Sequence, residues 1–345
     1  MKKAADSERA LLSGKRGEDD LLFEESIRPH SLKDYIGQES VKENLRVFLD
    51  AAIKRNEQLD HVLLYGSPGL GKTTLAQIIA REMGRDIKST SGPAIERPID
   101  LIITLKSLKE KDVLFIDEIH RLRRPIEEIL YPAMEDFNLD RVMSKGVAAR
   151  PIKLAIPPFT LIGATTRGGA ISSPLRGRFG IIFSLGFYEI AHLAEIICRS
   201  ARIMGISIED GGAAEIGKRC RGTPRLANRL LRRVRDFADV KGKGAITENL
   251  VIYAMERLGI DRNGIDGIDR KILETLVKRF KGRPVGLETL AASINEEPEN
   301  LEEVYEPYLL QMGLLEKTPR GRQATSLSFE YLGVPFLEGM QQRFL

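Results

Sequence analysis

Between an apolar run and a helical pattern the chain carries Gly66-Ser67-Pro68-Gly69-Leu70-Gly71-Lys72-Thr73. Glycines this dense cannot continue a helix or a strand without cost, so they mark a turn. The flanks say what the turn must join. His61-Val62-Leu63-Leu64-Tyr65 stands ahead of it, apolar without alternation, as a strand buried on both faces requires. Behind it Leu75, Ile78, Ile79 and Met83 fall at helical spacing, and Gly84 is a stop. Strand, glycine loop and helix in this order make a phosphate-binding unit. Gly66, Gly69 and Gly71 let backbone N–H groups close on phosphate oxygens, and the helix N-terminus favours an anion. Lys72 brings a cation to the β- and γ-phosphates, and the Thr73 hydroxyl is a Mg²⁺ ligand. ATP and Mg²⁺ are the expected cofactors.

Such a loop needs carboxylates beside it. Leu114-Phe115-Ile116-Asp117-Glu118-Ile119-His120 is an apolar strand that ends in two. Asp117 is expected at the carboxyl edge of the sheet, holding Mg²⁺ through its shell, with Glu118 polarising the attacking water. A second buried strand, Phe159-Thr160-Leu161-Ile162, runs on to Thr165-Thr166, where the Thr166 hydroxyl can report the γ-phosphate. Arg176 and Arg178 sit on a short segment bounded by Pro174 and Gly180. Most such arginines are surface charge, yet a phosphate-loop enzyme needs a mobile cation at its transition state, often supplied in trans. Thr223-Pro224 suits a helix start, and the helix is expected to bury Leu226, Leu230, Leu231, Val234 and Phe237. Arg225 then lies in the first turn, against the helix dipole, which an anion in front of it would explain.

Length and composition bound the rest. A chain of 345 residues holds about two or three domains. No apolar stretch is long enough to cross a bilayer, no signal-peptide core opens the sequence, and Cys198 and Cys220 are the only cysteines. A reducing cytoplasm fits, with neither a disulfide framework nor structural zinc. The net charge of +4 is small, but arginines cluster over 219–235 and basic residues over 317–322. From His61 to about Gly186 strands alternate with helical patterns, the sign of a parallel α/β sheet. From Glu189 to about Leu258 only helices are expected, and Gly259 to Gly264 reads as a linker. Asn138 to Val147 holds strand-like residues around a glycine turn, a hairpin that either packs on itself or docks a partner. In the C-terminal unit Ile272, Leu273, Leu276 and Phe280 make one apolar face. Leu287, Leu290, Ala291 and Ile294 make another, and Leu301, Val304, Tyr308 and Leu309 a third. A basic turn follows, with Lys317, Arg320 and Arg322 placed to meet DNA phosphates. The combination is a winged helix, which binds either DNA or protein.

Ile27-Arg28-Pro29, the phosphate loop, Phe115 to Leu122, Tyr131 to Asp136, Gly163 to Arg167 and Gly222 to Phe237 together resemble the RuvB family of AAA+ ATPases. The resemblance implies an α/β fold: an AAA+ P-loop core with a parallel sheet, a small helical lid domain and a C-terminal winged-helix domain. Their expected bounds are an arm over 1–25, the ATPase domain over 26–187, the lid over 188–260 and the DNA-binding head over 261–345. It implies a homohexameric motor that branch-migrates double-stranded DNA at four-way junctions. A RuvA-like junction-binding partner, and a RuvC-like resolvase in the same complex, come with it. It selects Arg178 over Arg176 as the finger that enters a neighbour's site, and makes Thr166 and Arg225 the two sensors. Ile27, Arg28 and Tyr188 would line the adenine pocket, Thr74 would follow Thr73 in the loop, and Glu135, Asp136 and Phe137 would border the nucleotide. Val142, Met143 and Val147 on the hairpin would meet the partner. The chain departs from the family at Ser67, at Gly177, where an acidic residue is usual, and at Pro298. A clamp-loader subunit shares the core, and an ATP-switched DNA-binding regulator is the alternative of another class; preference for one duplex sequence would mark the regulator.

Overall fold

The computed structural model describes residues 25–142, 151–241 and 244–336. They form two compact units, one over Arg28–Phe187 and one holding Ile27 with the residues from Tyr188 onward.

The first unit is built on a five-stranded sheet. Its strands are β1 (Val62–Tyr65), β2 (Ile87–Ser91), β3 (Val113–Asp117), β6 (Thr160–Thr165) and β7 (Ile181–Ser184), in the order β2-β3-β6-β1-β7. Every pairing is parallel. Helices α1 (Glu39–Arg55), α2 (Lys72–Glu82), α3 (Pro98–Lys106), α4 (Arg124–Glu135) and the one-turn α5 (Ser173–Arg176) accompany the sheet. A parallel strand is covered on both faces, which is why β1 and β6 lack polar alternation. Leu114, Ile116 and Leu161 pack with Leu101 and Leu105 of α3 and Leu130 and Ala133 of α4 in one dry cluster. Truncating any of these leucines to alanine would cost about 2–5 kcal/mol. Gly163 in mid-β6 is part of the same design. A Cβ there would lie 2.8 Å from the Ile119 side chain and 3.1 Å from the Phe179 ring, so only glycine lets both approach the strand.

Register brings the chemistry to one edge. Tyr65 pairs with Thr165 and Ile116 with Gly163. The loop after Tyr65, the carboxylates at 117–118 and the hydroxyls at 165–166 therefore leave the sheet together. Between α4 and β6 a hairpin pairs β4 (Asn138–Val142) with β5 (Pro151–Ala155), antiparallel, Asn138 facing Ala155. Leu139 and Leu154 anchor it to the core. Val142 ends β4. Met143 and Val147 lie outside the described residues.

The second unit begins with α6 (Ile190–Ile203), α7 (Asp210–Arg219), α8 (Pro224–Lys241) and α9 (Glu248–Arg257). It is not purely helical, as the pattern suggested. Two short strands, β8 (Ser207–Ile208) and β9 (Ala245–Ile246), pair in parallel. Runs of this length carry no periodicity to detect. Along α8, Leu226, Leu230, Leu231 and Val234 are buried as expected, but Ala238 takes the last core position. Phe237 is half-buried, edge-on to Tyr253.

The C-terminal part contains α10 (Gly267–Glu274), α11 (Leu287–Ile294), a helical run over 298–311 that ends in α12 (Glu306–Gln311), and α13 (Ser326–Tyr331). Its wing is β10 (Leu315–Thr318) against β11 (Gly321–Ala324), with Lys317 opposite Arg322. Pro298 opens the run at a first-turn position rather than breaking it. The helix widens over Leu301–Tyr305, and that turns Tyr305 into the core in place of Val304. Nor is Gly259 to Gly264 an open linker. Ile260 and Ile265 on either side of its glycine are buried, and the Asp261 carboxylate accepts from the backbone N–H of Asn263 (2.8 Å) and Ile265 (2.9 Å). Among the described residues no helix is long and apolar enough to cross a membrane.

Candidate active site

The phosphate loop takes the backbone its glycines were needed for. Gly66, Gly69 and Gly71 have φ of 150°, 83° and 98°. A Cβ on Gly66 would stand 2.5 Å from the Leu185 carbonyl oxygen, and one on Gly71 2.8 Å from the Tyr35 hydroxyl. Neighbouring strands hold the exit from β1: Gly66 N–H donates to Thr165 O (3.2 Å) and Leu185 N–H to Tyr65 O (2.8 Å). Helix α2 starts at Lys72, whose side chain is buried and whose ammonium donates to Gly66 O (2.7 Å) and Ser67 O (3.1 Å). Thr73 and Thr74 follow on the first turn, half-buried. A cation so placed, at the positive end of a helix and inside a ring of glycine amides, suits a polyphosphate.

Across the edge, Asp117 ends β3 and its Oδ1 accepts the Glu118 N–H at 3.0 Å. Glu118 adopts a left-handed φ of 49°, which turns the chain into the short helical turn Ile119–Arg121. Backbone of this kind in a residue other than glycine costs energy and gathers at functional sites. The Thr166 hydroxyl donates to Glu118 Oε2 at 3.2 Å, and His120 Nδ1 lies 3.2 Å from the same oxygen. Behind them Thr165 Oγ1 is 2.9 Å from His120 Nδ1 and accepts the Arg167 N–H at 3.0 Å. Burial, and then the charge of Asp117, push the Glu118 carboxyl above its usual range, while Lys72 and the Thr166 bond pull it back. A carboxylate made more basic by partial burial is what general-base work at neutral pH requires. No three His, Cys, Asp or Glu side chains converge on one point among the described residues. The donor set of Thr73 and Asp117, one hydroxyl and one carboxylate, fits Mg²⁺, a hard cation that takes oxygen ligands.

Arg178 and its companions stand elsewhere. The residue precedes β7, whose Ile181 pairs with Val62, the first residue of β1. It thus lies at the amino edge of the sheet, whereas the phosphate loop leaves the carboxyl edge. The length of β1, on the order of 13 Å at the usual strand rise, separates them. Arg178 Nη1 donates to Pro174 O (2.7 Å), its Nη2 pairs with Glu135 (3.2 Å), and its guanidinium covers the Tyr131 ring at 4.3 Å. Its Nε is buried without a hydrogen-bond partner. Phe137 packs at the same edge against His61 and Phe159. Glu135, Asp136 and Phe137 were expected to border the nucleotide. They lie at and just past the end of α4, which stops beside His61 at the edge opposite the chain's own phosphate loop. Arg176 is exposed.

Ile27, Tyr188 and Arg225 belong to the second unit. The Ile27 carbonyl accepts from Arg199 (2.7 Å), and the N–H of Tyr188, itself buried, donates to Gly222 O (2.9 Å) just before the helix that carries Arg225. Arg28 opens the first unit, half-buried. On the wing the three basic residues diverge. Arg322 Nε donates to Glu306 Oε1 (2.6 Å), its Nη2 reaches Glu302 (3.2 Å), and Lys317 pairs with Glu306 (2.8 Å). Glu306 is fully buried. Arg322 is therefore the counter-ion of a buried carboxylate, a role its place in the basic turn did not show. Arg320 remains exposed at the turn. Sequence reasoning passed over His120 and Thr165. The signal lay in the strands, since each stands within three residues of a motif residue on adjacent β3 and β6.

Comparison with known families accounts for both units. Residues 27–185 match the Holliday junction DNA helicase RuvB P-loop domain, 188–261 the RuvB AAA lid domain, and 262–333 the RuvB C-terminal winged helix domain. Among solved structures, the Thermotoga maritima RuvB Holliday junction branch migration motor is 51% identical with a TM-score of 0.82, covering 90% of this chain and 99% of that one. A point variant of the T. maritima protein is 52% identical with a TM-score of 0.83, covering 89% of this chain and 98% of its own. With the phosphate loop, the paired carboxylates and all three domains accounted for, this chain belongs to the RuvB family of Holliday junction DNA helicases, AAA+ P-loop ATPases with a helical lid and a winged helix.

Proposed function

We propose that this chain is the ATP-driven motor of Holliday junction branch migration in recombination and repair. It works as a homohexameric ring in the cytoplasm beside a RuvA-like junction-binding partner, with a RuvC-like resolvase in the same complex. The observation that carries the ring is the position of Arg178, at the sheet edge opposite its own phosphate loop. A cation there can complete only a neighbour's site, and Glu135 to Phe137 then belong to the same neighbour-facing edge.

Within one site Lys72 and the loop amides hold the β- and γ-phosphates, and Thr73 and Asp117 hold Mg²⁺. When bound, the metal neutralises charge on the phosphate oxygens. Glu118 polarises the water that attacks the γ-phosphorus, and Thr166 senses the γ-phosphate through the hydroxyl that also touches Glu118. Arg178 of the neighbour stabilises the transition state, Arg225 acts as the second sensor, and Ile27, Arg28 and Tyr188 line the adenine pocket. Val142, Met143 and Val147 dock the partner. The wing follows duplex backbone through Arg320, with Lys317 contributing.

The deciding experiment is dissociation of a synthetic four-way junction with ATP and Mg²⁺, with and without a RuvA-type protein. Junction-specific product that disappears in Lys72→Ala is the expected result. ATP turnover with no junction processing would refute the motor and favour a clamp loader or an ATP switch.

A further inference from the structure

The Glu118 carboxylate is held unevenly. The Thr166 hydroxyl donates to Oε2 at 3.2 Å, His120 Nδ1 lies 3.2 Å from the same oxygen, and the Thr166 backbone N–H adds its support to the carboxylate. No side chain among the described residues donates to Oε1. An imidazole nitrogen at that distance from a carboxylate oxygen must carry the proton, because two lone pairs would repel. The Nδ1–H is then shared between Glu118 Oε2 and Thr165 Oγ1, which at 2.9 Å is the nearer acceptor. Thr165 is fully buried, and its oxygen is further tied by the Arg167 N–H at 3.0 Å. The His120 ring, almost wholly buried itself, is thus locked in one tautomer and one orientation.

We infer that His120 is a positioning residue for hydrolysis: with Thr165 behind it, its Nδ1–H pins Glu118 Oε2 so that Oε1 is the oxygen presented to the attacking water. The inference rests on the assignment of Glu118 as the group that activates water. A carboxylate pinned at one oxygen loses the rotation that would otherwise average its second oxygen over several directions, and orientation is a large part of what a general base contributes.

The test uses the full-length protein with junction DNA and compares His120→Asn, His120→Gln and His120→Ala. Asparagine can set an amide N–H where Nδ1 stands, whereas glutamine reaches only the Nε2 position. Asn should keep kcat within about threefold of the parent, and Gln and Ala should lose on the order of 30-fold, a part of the 10²–10⁴ that a general base supplies. Affinity for a fluorescent ATP analogue should be unchanged in all three. Equal kcat for Asn and Gln, whether high or low, would overturn the inference: high means no positioning, low means that only ring packing matters. Glu118→Gln separates the two levels. If it retains turnover, the assignment of Glu118 fails; if it is inactive while His120→Ala is not, only the role of His120 fails. Should a His120 variant lose its fold, Thr165→Ser and Thr165→Val read the same contact. Serine should keep turnover and valine lose it, and full activity in Thr165→Val would overturn the proposal.

Discussion

A basic side chain on a wing can face a phosphate or a carboxylate; Arg322 is committed to a buried carboxylate, whereas Arg320, two residues away, is exposed. Removing Arg322 would leave Glu306 buried with half of its counter-charge gone, and breaking a buried pair in this way costs about 3–5 kcal/mol. Arg322→Ala should therefore lower the unfolding midpoint and weaken DNA binding only through lost structure. Arg320→Ala should leave the midpoint unchanged. It should reduce the slope of log affinity against log salt by about one for duplex of any sequence. Thermal unfolding beside a salt titration of DNA binding distinguishes the two; identical behaviour would show that both arginines serve one purpose. The difference was invisible in sequence because Glu306 lies sixteen positions before Arg322 and only the folded wing brings them together. Lys72, Asp117 and Glu118 were legible for the opposite reason. Asp117 ends its strand, Glu118 follows it, and Lys72 opens the helix after the glycine loop, so local order alone fixes which edge each reaches. Where Phe137 would stand was not legible, because it follows α4 closely and sequence does not say at which edge of the sheet a helix ends.

At the scale of elements, the turn from Gly259 to Gly264 shows how a stretch with linker composition becomes a fixed joint. Gly264 comes so close to Arg219 that a Cβ would lie 2.7 Å from its carbonyl oxygen. Two residues after Arg219, Arg221 reaches across to α10, where it pairs with Asp266 (2.9 Å) and Asp269 (2.6 Å) and donates to Gly264 O (3.0 Å). All three charged groups are buried, and Asp266 also caps α10. One guanidinium cannot fully compensate two carboxylates away from water. Burial accordingly pushes the Asp269 carboxyl up to about 8, against the pull of Arg221. The unfolded chain releases that proton near pH ~4, whereas the folded chain keeps it until about 8. Between those values the folded state binds the extra proton, so this contribution to stability is complete below the unfolded value and declines as pH rises through the window. The transition of the second unit should therefore move to lower temperature from about pH 5 to about pH 8 and then level off. Asp269→Asn, which cannot titrate, should flatten that dependence, and Arg221→Met should destabilise at every pH by about 3–5 kcal/mol. Calorimetry of the full chain across this range checks both, and an unchanged slope in Asp269→Asn would assign the pH dependence to another group. The helices on either side were legible from their apolar spacing. The joint was not, since glycine and aspartate have the same composition in a loose linker as in a caged turn.

For the whole molecule, the separation of Arg178 from its own phosphate loop turns the assembly into a quantitative expectation. In the proposed ring every site needs a loop from one copy and a finger from the next. Lys72→Ala should abolish nucleotide binding at its own loop while leaving its finger intact. Arg178→Ala should bind nucleotide normally and still lose about 10³-fold or more in turnover, the usual worth of such a finger. Each variant alone is then inactive, for reasons located in different subunits. In an equal mixture that assorts at random, a site is complete when a loop from an Arg178→Ala copy meets a finger from a Lys72→Ala copy. Half of the copies supply each part, so roughly a quarter of sites should be competent. Turnover that rises from near zero on mixing is the signature of a shared site, and it needs no new contact within either chain. A mixture as inactive as its components would mean either that Arg178 serves its own chain or that the ring requires every site to fire. A wild-type dilution series resolves that choice: activity that falls in proportion to the added Arg178→Ala copies marks independent sites, and activity that collapses after a small fraction marks concerted ones. The holstered state of Arg178, stacked on Tyr131 and paired with Glu135, adds one more outcome at this scale. Glu135→Gln should loosen the finger and raise turnover at low protein concentration, where rings are scarce, and leave it unchanged once assembly is complete.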